Sequence, residues 1–182
     1  SALQRTPRFG TALVVGAETG EVAERLLGAE EDGGGGAKWA TVADVSPKQL
    51  DRAQEKVPDV GISGNEKGAK YVELSEMSFE EIKPYFGPFD VIVFNDTFEE
   101  FPKEKRKETV ARAANLLKQT TTHLDDEVTS RIIISSRETK EGDESYERIN
   151  RDELNALVEG MPLAWSEEEA KRGKVLDLTR DN

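Results

Sequence analysis

Cysteine is missing from the chain, and histidine occurs once, at His123. Disulfides, thiolate metal sites and cysteine nucleophiles are thereby excluded. A metal site built from several histidines of one chain is excluded as well. Positive charge is in deficit: 25 Lys and Arg face 37 Asp and Glu, giving a net charge of −12 at pH 7. A protein that tracks phosphates needs a basic face, so duplex DNA and bulk RNA are not the expected partners. No apolar run approaches the ~20 residues that a membrane-spanning helix requires. The chain begins at Ser1 without a methionine, and residues 3–8 form a short polar stretch. No signal or transit peptide is visible, although a targeting segment already removed would leave no trace.

What is present describes a soluble protein with a heavily charged surface. Charged residues make up 34% of the 182 residues and apolar ones 36%, with a mean hydropathy of −0.64. That length suits one domain over residues 1–182, large enough for a real core. No self-similar period occurs, which argues against a solenoid.

The rest of the chain is organised around Thr11-Ala12-Leu13-Val14-Val15-Gly16-Ala17-Glu18-Thr19-Gly20-Glu21-Val22. An apolar run, two glycines four apart and then a helical pattern spell strand, tight turn, helix. Glycine lets backbone approach a ligand and adopt positive φ, and the N–H groups that open a helix face the same space. The same pattern also serves as a plain connecting turn in α/β proteins that bind nothing there. The glycine-rich run at 33–36 is read as a surface insertion, because no Lys-Ser/Thr follows it as a phosphate-binding loop demands.

Trp39-Ala40-Thr41-Val42-Ala43 is a second strand ending at Asp44. Ser46, Pro47 and Gln49 then supply a cap, a first helical residue and a capping-box partner. Asp44 is thus fixed at the carboxyl edge of the sheet, where a carboxylate can accept both hydroxyls of a ribose. The alternative is an exposed acid that ends a strand. Further strands are expected at 71–74, 89–94 and 131–135, with helices at 105–118 and after Asn150. Two short strands at 162–166 and 174–179 close the chain. Strands alternating with helices and ending in a strand pair imply an α/β fold: a doubly wound, mostly parallel sheet with an antiparallel C-terminal edge.

Val14-Val15-Gly16-Ala17-Glu18-Thr19-Gly20, Val42-Ala43-Asp44-Val45-Ser46-Pro47, Gly87-Pro88-Phe89-Asp90-Val91-Ile92-Val93-Phe94-Asn95-Asp96 and Leu116-Leu117-Lys118 follow one another here. That order resembles class I S-adenosylmethionine-dependent methyltransferases over nearly the whole chain. Tyr85 to Asp90 and the ending from Leu154 to Leu163 look most like uncharacterised methyltransferase-like proteins of plant and algal plastids. The resemblance implies a Rossmann-like, seven-stranded sheet with the last strand antiparallel, and a cofactor lying across the ends of strands one to four. Carried over by position, it assigns Gly16, Ala17 and Gly20 to the methionine moiety of S-adenosylmethionine. Asp44 falls to the ribose, Ser75 or Glu76 to the adenine, and Asn95 to the neighbourhood of the transferred methyl. A plastid location, after removal of a transit peptide, goes with it.

The chain departs from the family pattern at three places. Val14 stands where strand one usually has an acid, and Glu18 replaces the middle glycine of the turn. Gln119-Thr120-Thr121-Thr122 replaces a Pro-Gly-Gly turn. A carboxylate at Glu18 either meets the cationic half of the cofactor or blocks the pocket.

Methyl transfer needs an in-line approach, so positioning supplies much of the acceleration, and a base helps only when the acceptor has a proton to lose. Asp96, Glu99 and Glu100 are candidates for that base, with helix capping the blander reading for the last two. Asn95-Asp96-Thr97-Phe98 lacks both prolines of the signature used on planar amino groups, so adenine or glutamine amide is not the expected acceptor. His123 is expected to be solvated. Lys103, Lys105, Arg106 and Lys107 form a compact basic cluster, expected to be a solvated helix start.

Three functions fit: an active methyltransferase on a small molecule or protein side chain, with Asn95 and Asp96 as catalytic residues; a degenerate methyltransferase fold serving as a subunit of a larger, organellar complex; and a nicotinamide dinucleotide binder. The last ranks lowest, because Gly-x-Gly-x-x-Gly would need glycine at Glu18 and Glu21.

Overall fold

A computed structural model of the chain describes residues 10–28, 36–59, 68–76, 79–82, 87–118, 130–135, 151–161, 163–165 and 175–180. Among them, β1 (Thr11–Val15), β2 (Trp39–Asp44), β3 (Gly68–Glu73), β4 (Val91–Asn95) and β5 (Arg131–Ser135) form a parallel sheet. The short strand β6 (Leu163–Trp165) and the longer β7 (Val175–Arg180) extend it. The order is β3-β2-β1-β4-β5-β7-β6, with β7 antiparallel to both β5 and β6. Helices α1 (Glu21–Leu27), α2 (Pro47–Lys56), α3 (Arg106–Leu116) and α4 (Arg151–Val158) connect the strands. No helix among the described residues is long and apolar enough to cross a membrane.

The strands are apolar on both faces because both faces are covered. Ala12 and Val14 of β1 pack with Val42, Val93, Leu26 of α1, and Leu50 and Ala53 of α2. Leu13 and Val15 point the other way, into Ile92, Phe94, Ile134, Val110 and Ala113 of α3, and Val158 of α4. The period of two along each strand thus sorts residues between two helical layers. Phe94 reaches the loops as well: its ring centroid lies 5.6 Å from Phe79, 5.2 Å from Phe98 and 5.8 Å from Phe101. All four rings are buried, each contributing about 1.5–3 kcal/mol by leaving water. They anchor the segments that follow β3 and β4.

Several boundaries differ from expectation for identifiable reasons. α2 starts as expected: the Ser46 side chain accepts the Gln49 N–H at 3.3 Å, and Pro47 takes the first turn. β3 begins at Gly68, three residues before the strand expected from Tyr71, because Gly68 and Ala69 pair with Trp39 and Ala40. Small residues carry no alternation signal, although their burial here is complete or nearly so. β4 begins after Phe89, which instead exchanges backbone bonds with the end of α3: its N–H donates to Leu116 O and its carbonyl accepts from Lys118 N, both at 2.8 Å. That bridge also ends α3 before the expected Lys118.

The basic cluster is broken up. Lys103, Lys105 and Lys107 are exposed, but Arg106 is buried at 5% exposure. Its guanidinium donates to Phe101 O at 3.1 Å, Glu99 O at 2.9 Å and Glu153 Oε1 at 3.0 Å. The expectation of a wholly solvated helix start is corrected there, since a planar fork of donors suits two carbonyls and a carboxylate at once. Glu99 thereby gives its carbonyl to a tie between the β4 loop and α4. The expected features at His123, Gln119 to Thr122, Tyr85, Phe86 and Asn150 lie outside the described residues.

Candidate functional site

Strand order reverses between β1 and β4, and open α/β sheets bind ligands at the carboxyl ends beside such a switch. The turn leaving β1 is left-handed at three positions: φ is 96° at Gly16, 44° at Glu18 and 80° at Gly20. Gly16 needs glycine on steric grounds too, and Gly20 is closely packed. A Cβ on Gly16 would come within 2.5 Å of Thr97 Cγ2 and 2.6 Å of Asn95 O. One on Gly20 would meet Ala53 Cα and O at 3.0 Å, so Gly20 lets α1 close onto α2. Glu18 holds the same backbone region without glycine's freedom, which costs a side-chain-bearing residue roughly 1–2 kcal/mol.

Asp44 is the hub of this turn. Its Oδ2 accepts the Ala17 N–H at 2.7 Å, and its Oδ1 accepts the Ser46 N–H at 2.9 Å. The carboxylate is 8% exposed and joins the β1 turn to the start of α2. Gly16 N–H also donates across the strands, to Ala43 O at 2.9 Å. An ionised carboxylate offers about four acceptor directions, and two are used here.

From the other side come three consecutive residues, Asn95 at the end of β4 and Asp96 and Thr97 just after it. Asn95, 8% exposed, donates through Nδ2 to Gly16 O at 3.3 Å. Thr97 donates through its hydroxyl to Val15 O at 3.1 Å. Asp96, between them and left-handed at φ 52°, turns to β5. Its N–H donates to Ser135 Oγ at 3.1 Å, and the Ser135 hydroxyl lies 2.9 Å from Asp96 Oδ1. Asn95 and Thr97 therefore face β1 and Asp96 faces β5. The single Ser135 proton is shared between Asp96 Oδ1 and Phe94 O, the latter at 3.3 Å.

At the end of β3, Ser75 and Glu76 are exposed. The Ser75 N–H donates to Glu81 Oε2 at 2.7 Å, and its hydroxyl donates to the other oxygen of the same carboxylate. Leu74 N–H donates to Asp44 O at 2.9 Å, so this corner is tied to the hub. The structure thus brings Gly16, Ala17, Asp44 and Asn95 into one bonded group, with Glu18 in the same turn. Gly20 packs on Ala53, Ser75 is held by Glu81, and Asp96 belongs to the β5 side. Thr97, Ser135 and Glu81 were not singled out by the sequence. The available signals were a hydroxyl two residues after Asn95, a serine ending the isoleucine run of β5, and an acid beyond Phe79.

A doubly wound sheet in this order, with a glycine turn and a strand-end acid at its switch point, defines a Rossmann-like α/β protein. A family model described as a methyltransferase domain matches residues 12–120, more than half of the chain, and the protein belongs to that family. Solved structures share the fold at low identity. The magnesium protoporphyrin IX methyltransferase of Synechocystis PCC 6803, with bound S-adenosylmethionine, is 14% identical at a TM-score of 0.60, covering 99% of this chain and 74% of that one. An O-methyltransferase family protein from Burkholderia thailandensis is 13% identical at a TM-score of 0.67, covering 100% of this chain and 54% of that one. The N-methyltransferase NodS of Bradyrhizobium japonicum WM9, in complex with S-adenosyl-L-homocysteine, is 15% identical at 0.61, covering 96% and 79%. No curated protein matches the sequence.

Proposed function

We propose that this methyltransferase-family chain uses S-adenosylmethionine to methylate a small molecule bearing a hydroxyl or amine. The observation that carries the reading is Asp44, held by Ala17 and Ser46 at the carboxyl edge of the sheet with acceptor directions to spare. In this reading Asp44 takes the ribose hydroxyls, the turn of Gly16, Ala17, Glu18 and Gly20 borders the methionine end, and Ser75 or Glu76 borders the adenine. Asn95 lies beside Gly16, next to the reacting methyl. Bound S-adenosylmethionine supplies an electrophilic methyl group. Asp96, oriented by Ser135, takes the proton that an acceptor O–H or N–H loses. O- and N-methyltransferases among the structural neighbours support such acceptors; a protein side chain is the other acceptor class compatible with the site.

A second reading rests on Glu18, whose left-handed backbone puts a carboxylate in the turn. There the fold persists as a noncatalytic subunit of a larger complex. Calorimetric titration with S-adenosylmethionine and S-adenosylhomocysteine separates the two. Micromolar binding that Asp44→Ala abolishes supports the enzyme; no binding at millimolar ligand removes it and leaves the subunit. The plastid setting belongs to this proposal too, and imaging of a tagged precursor checks it.

A further inference from the structure

Thr97 sits against the β1 turn with both halves of its side chain in use. Its hydroxyl donates to Val15 O at 3.1 Å, at the last residue of β1. Its methyl lies where a Gly16 Cβ would be, only 2.5 Å from that ideal position. The side chain is 5% exposed, so the hydrogen bond is made away from water. One residue earlier than Asp96, Asn95 repeats the contact on the next carbonyl of the same turn, Gly16 O at 3.3 Å. Two successive carbonyls leaving β1 are therefore capped by side chains from the last residue of β4 and from the loop after it, just where the β1–β4 ladder stops.

Side-chain donors at this place do more than satisfy carbonyls. The turn is left-handed at Gly16 and again at Glu18, and a side-chain-bearing residue such as Glu18 stays in that region only when its surroundings fix it. Asp44 fixes it from the β2 side through Ala17 N–H; Thr97 and Asn95 fix it from the β4 side. The loop that carries them continues into the short helical turn Phe98–Glu100, which the Glu100 N–H closes on Thr97 O at 3.0 Å.

We propose that Thr97 is a positioning residue for the cofactor turn, coupling the shape of residues 15–18 to the loop that carries Asp96. The inference rests on the proposed use of that turn for S-adenosylmethionine. It assigns to Thr97 no contact with cofactor or acceptor. Cofactor occupancy and the conformation of residues 95–100 are then linked, because the Thr97 hydroxyl ties the cofactor turn to that loop.

The probe is S-adenosylhomocysteine, titrated calorimetrically into wild type, Thr97→Val and Thr97→Ser, well below each protein's melting temperature. Valine keeps the methyl against Gly16 and removes the donor; serine keeps the donor. The hydroxyl's net worth translates to an affinity loss of roughly 3–10-fold in Thr97→Val, with Thr97→Ser within about twofold of wild type. Equal affinity in folded Thr97→Val and wild type overturns the inference and leaves the cofactor site standing. Absence of binding in wild type overturns both. A second measurement needs no variant: in wild type, ligand should slow amide exchange at Ala17 and at Glu100 together. Protection confined to the β1 turn, with Glu100 unchanged, overturns the coupling even if Thr97→Val fails to fold.

Discussion

Asp44 and Ala17 are joined across the ends of β2 and β1 by a 2.7 Å hydrogen bond from a backbone amide to a carboxylate that is nine-tenths buried. The bond closes a separation of 27 residues in sequence. A second amide, from Ser46, meets the other oxygen. A group that must accept from two fixed donors cannot be exchanged for one that also donates.

Asp44→Asn therefore places its NH2 against one of these two amides, whichever way the side chain is turned. One buried N–H loses its partner, at an expected cost of about 1–3 kcal/mol. Urea unfolding should show a lower midpoint at unchanged slope. An unchanged midpoint would mean that the Ala17 and Ser46 amides are satisfied without the carboxylate.

Gly16→Ala and Gly20→Ala should differ in severity. Both backbones are left-handed, but the Gly16 Cβ meets a fixed carbonyl at 2.6 Å whereas that of Gly20 meets Ala53 at 3.0 Å. α2 can retreat by a few tenths of an ångström; the end of β4 is locked in the sheet. Gly20→Ala is expected to fold with a loss of about 1–2 kcal/mol, and Gly16→Ala to lose more or not to fold. Thermal melts of the two variants decide the order.

Much of this architecture is readable in the sequence, because the parallel strands announce themselves through runs such as Val91 to Phe94 and Ile132 to Ile134. Gly16, Asp44 and Asn95 are readable too, as the residues that end three such runs. What the sequence hides are contacts made by register. Gly68 and Ala69 give no alternation, yet pairing with Trp39 and Ala40 makes them strand. Arg106 belongs to a basic run on paper, and only the approach of α4 turns it inward. Thr97 and Ser135 gain their roles from β1 and β4 as neighbours, which strand order alone determines.

Tyr71 ties β3 to the end of α2 through a hydroxyl 2.5 Å from Val57 O. Burial pushes that hydroxyl from 10.0 up to about 12, and the Asp59 charge pushes the same way. The unfolded chain releases this proton first. Its contribution to stability is complete below pH 10 and is lost as the pH rises to about 12. Urea midpoints of wild type and Tyr71→Phe, compared across this window, should converge as pH rises, since lysines titrate alike in both. A constant gap would show that Tyr71 titrates equally in the folded and unfolded chain.

Arg106 and Lys56 offer a controlled comparison of two ion pairs. Lys56 reaches Glu21 at 3.4 Å and Glu24 at 3.9 Å with all three side chains well exposed, an arrangement worth at most about 1 kcal/mol. Arg106 meets Glu153 at 3.0 Å with its own side chain 6% exposed, and also serves the carbonyls of Phe101 and Glu99. Arg106→Met removes all three bonds: it takes the guanidinium from a mostly buried Glu153 carboxylate and leaves the carbonyls of Phe101 and Glu99 facing a side chain that cannot donate. The expected loss is about 3–5 kcal/mol, against less than about 1 kcal/mol for Lys56→Met. Arg106→Lys should fall between them, because an ammonium keeps the charge but not the planar fork. If the methionine variants lose equally, the Arg106 network is no stronger than a surface pair, and the loop after β4 is held by its packed phenylalanines and by the bonds of Asp96 and Thr97.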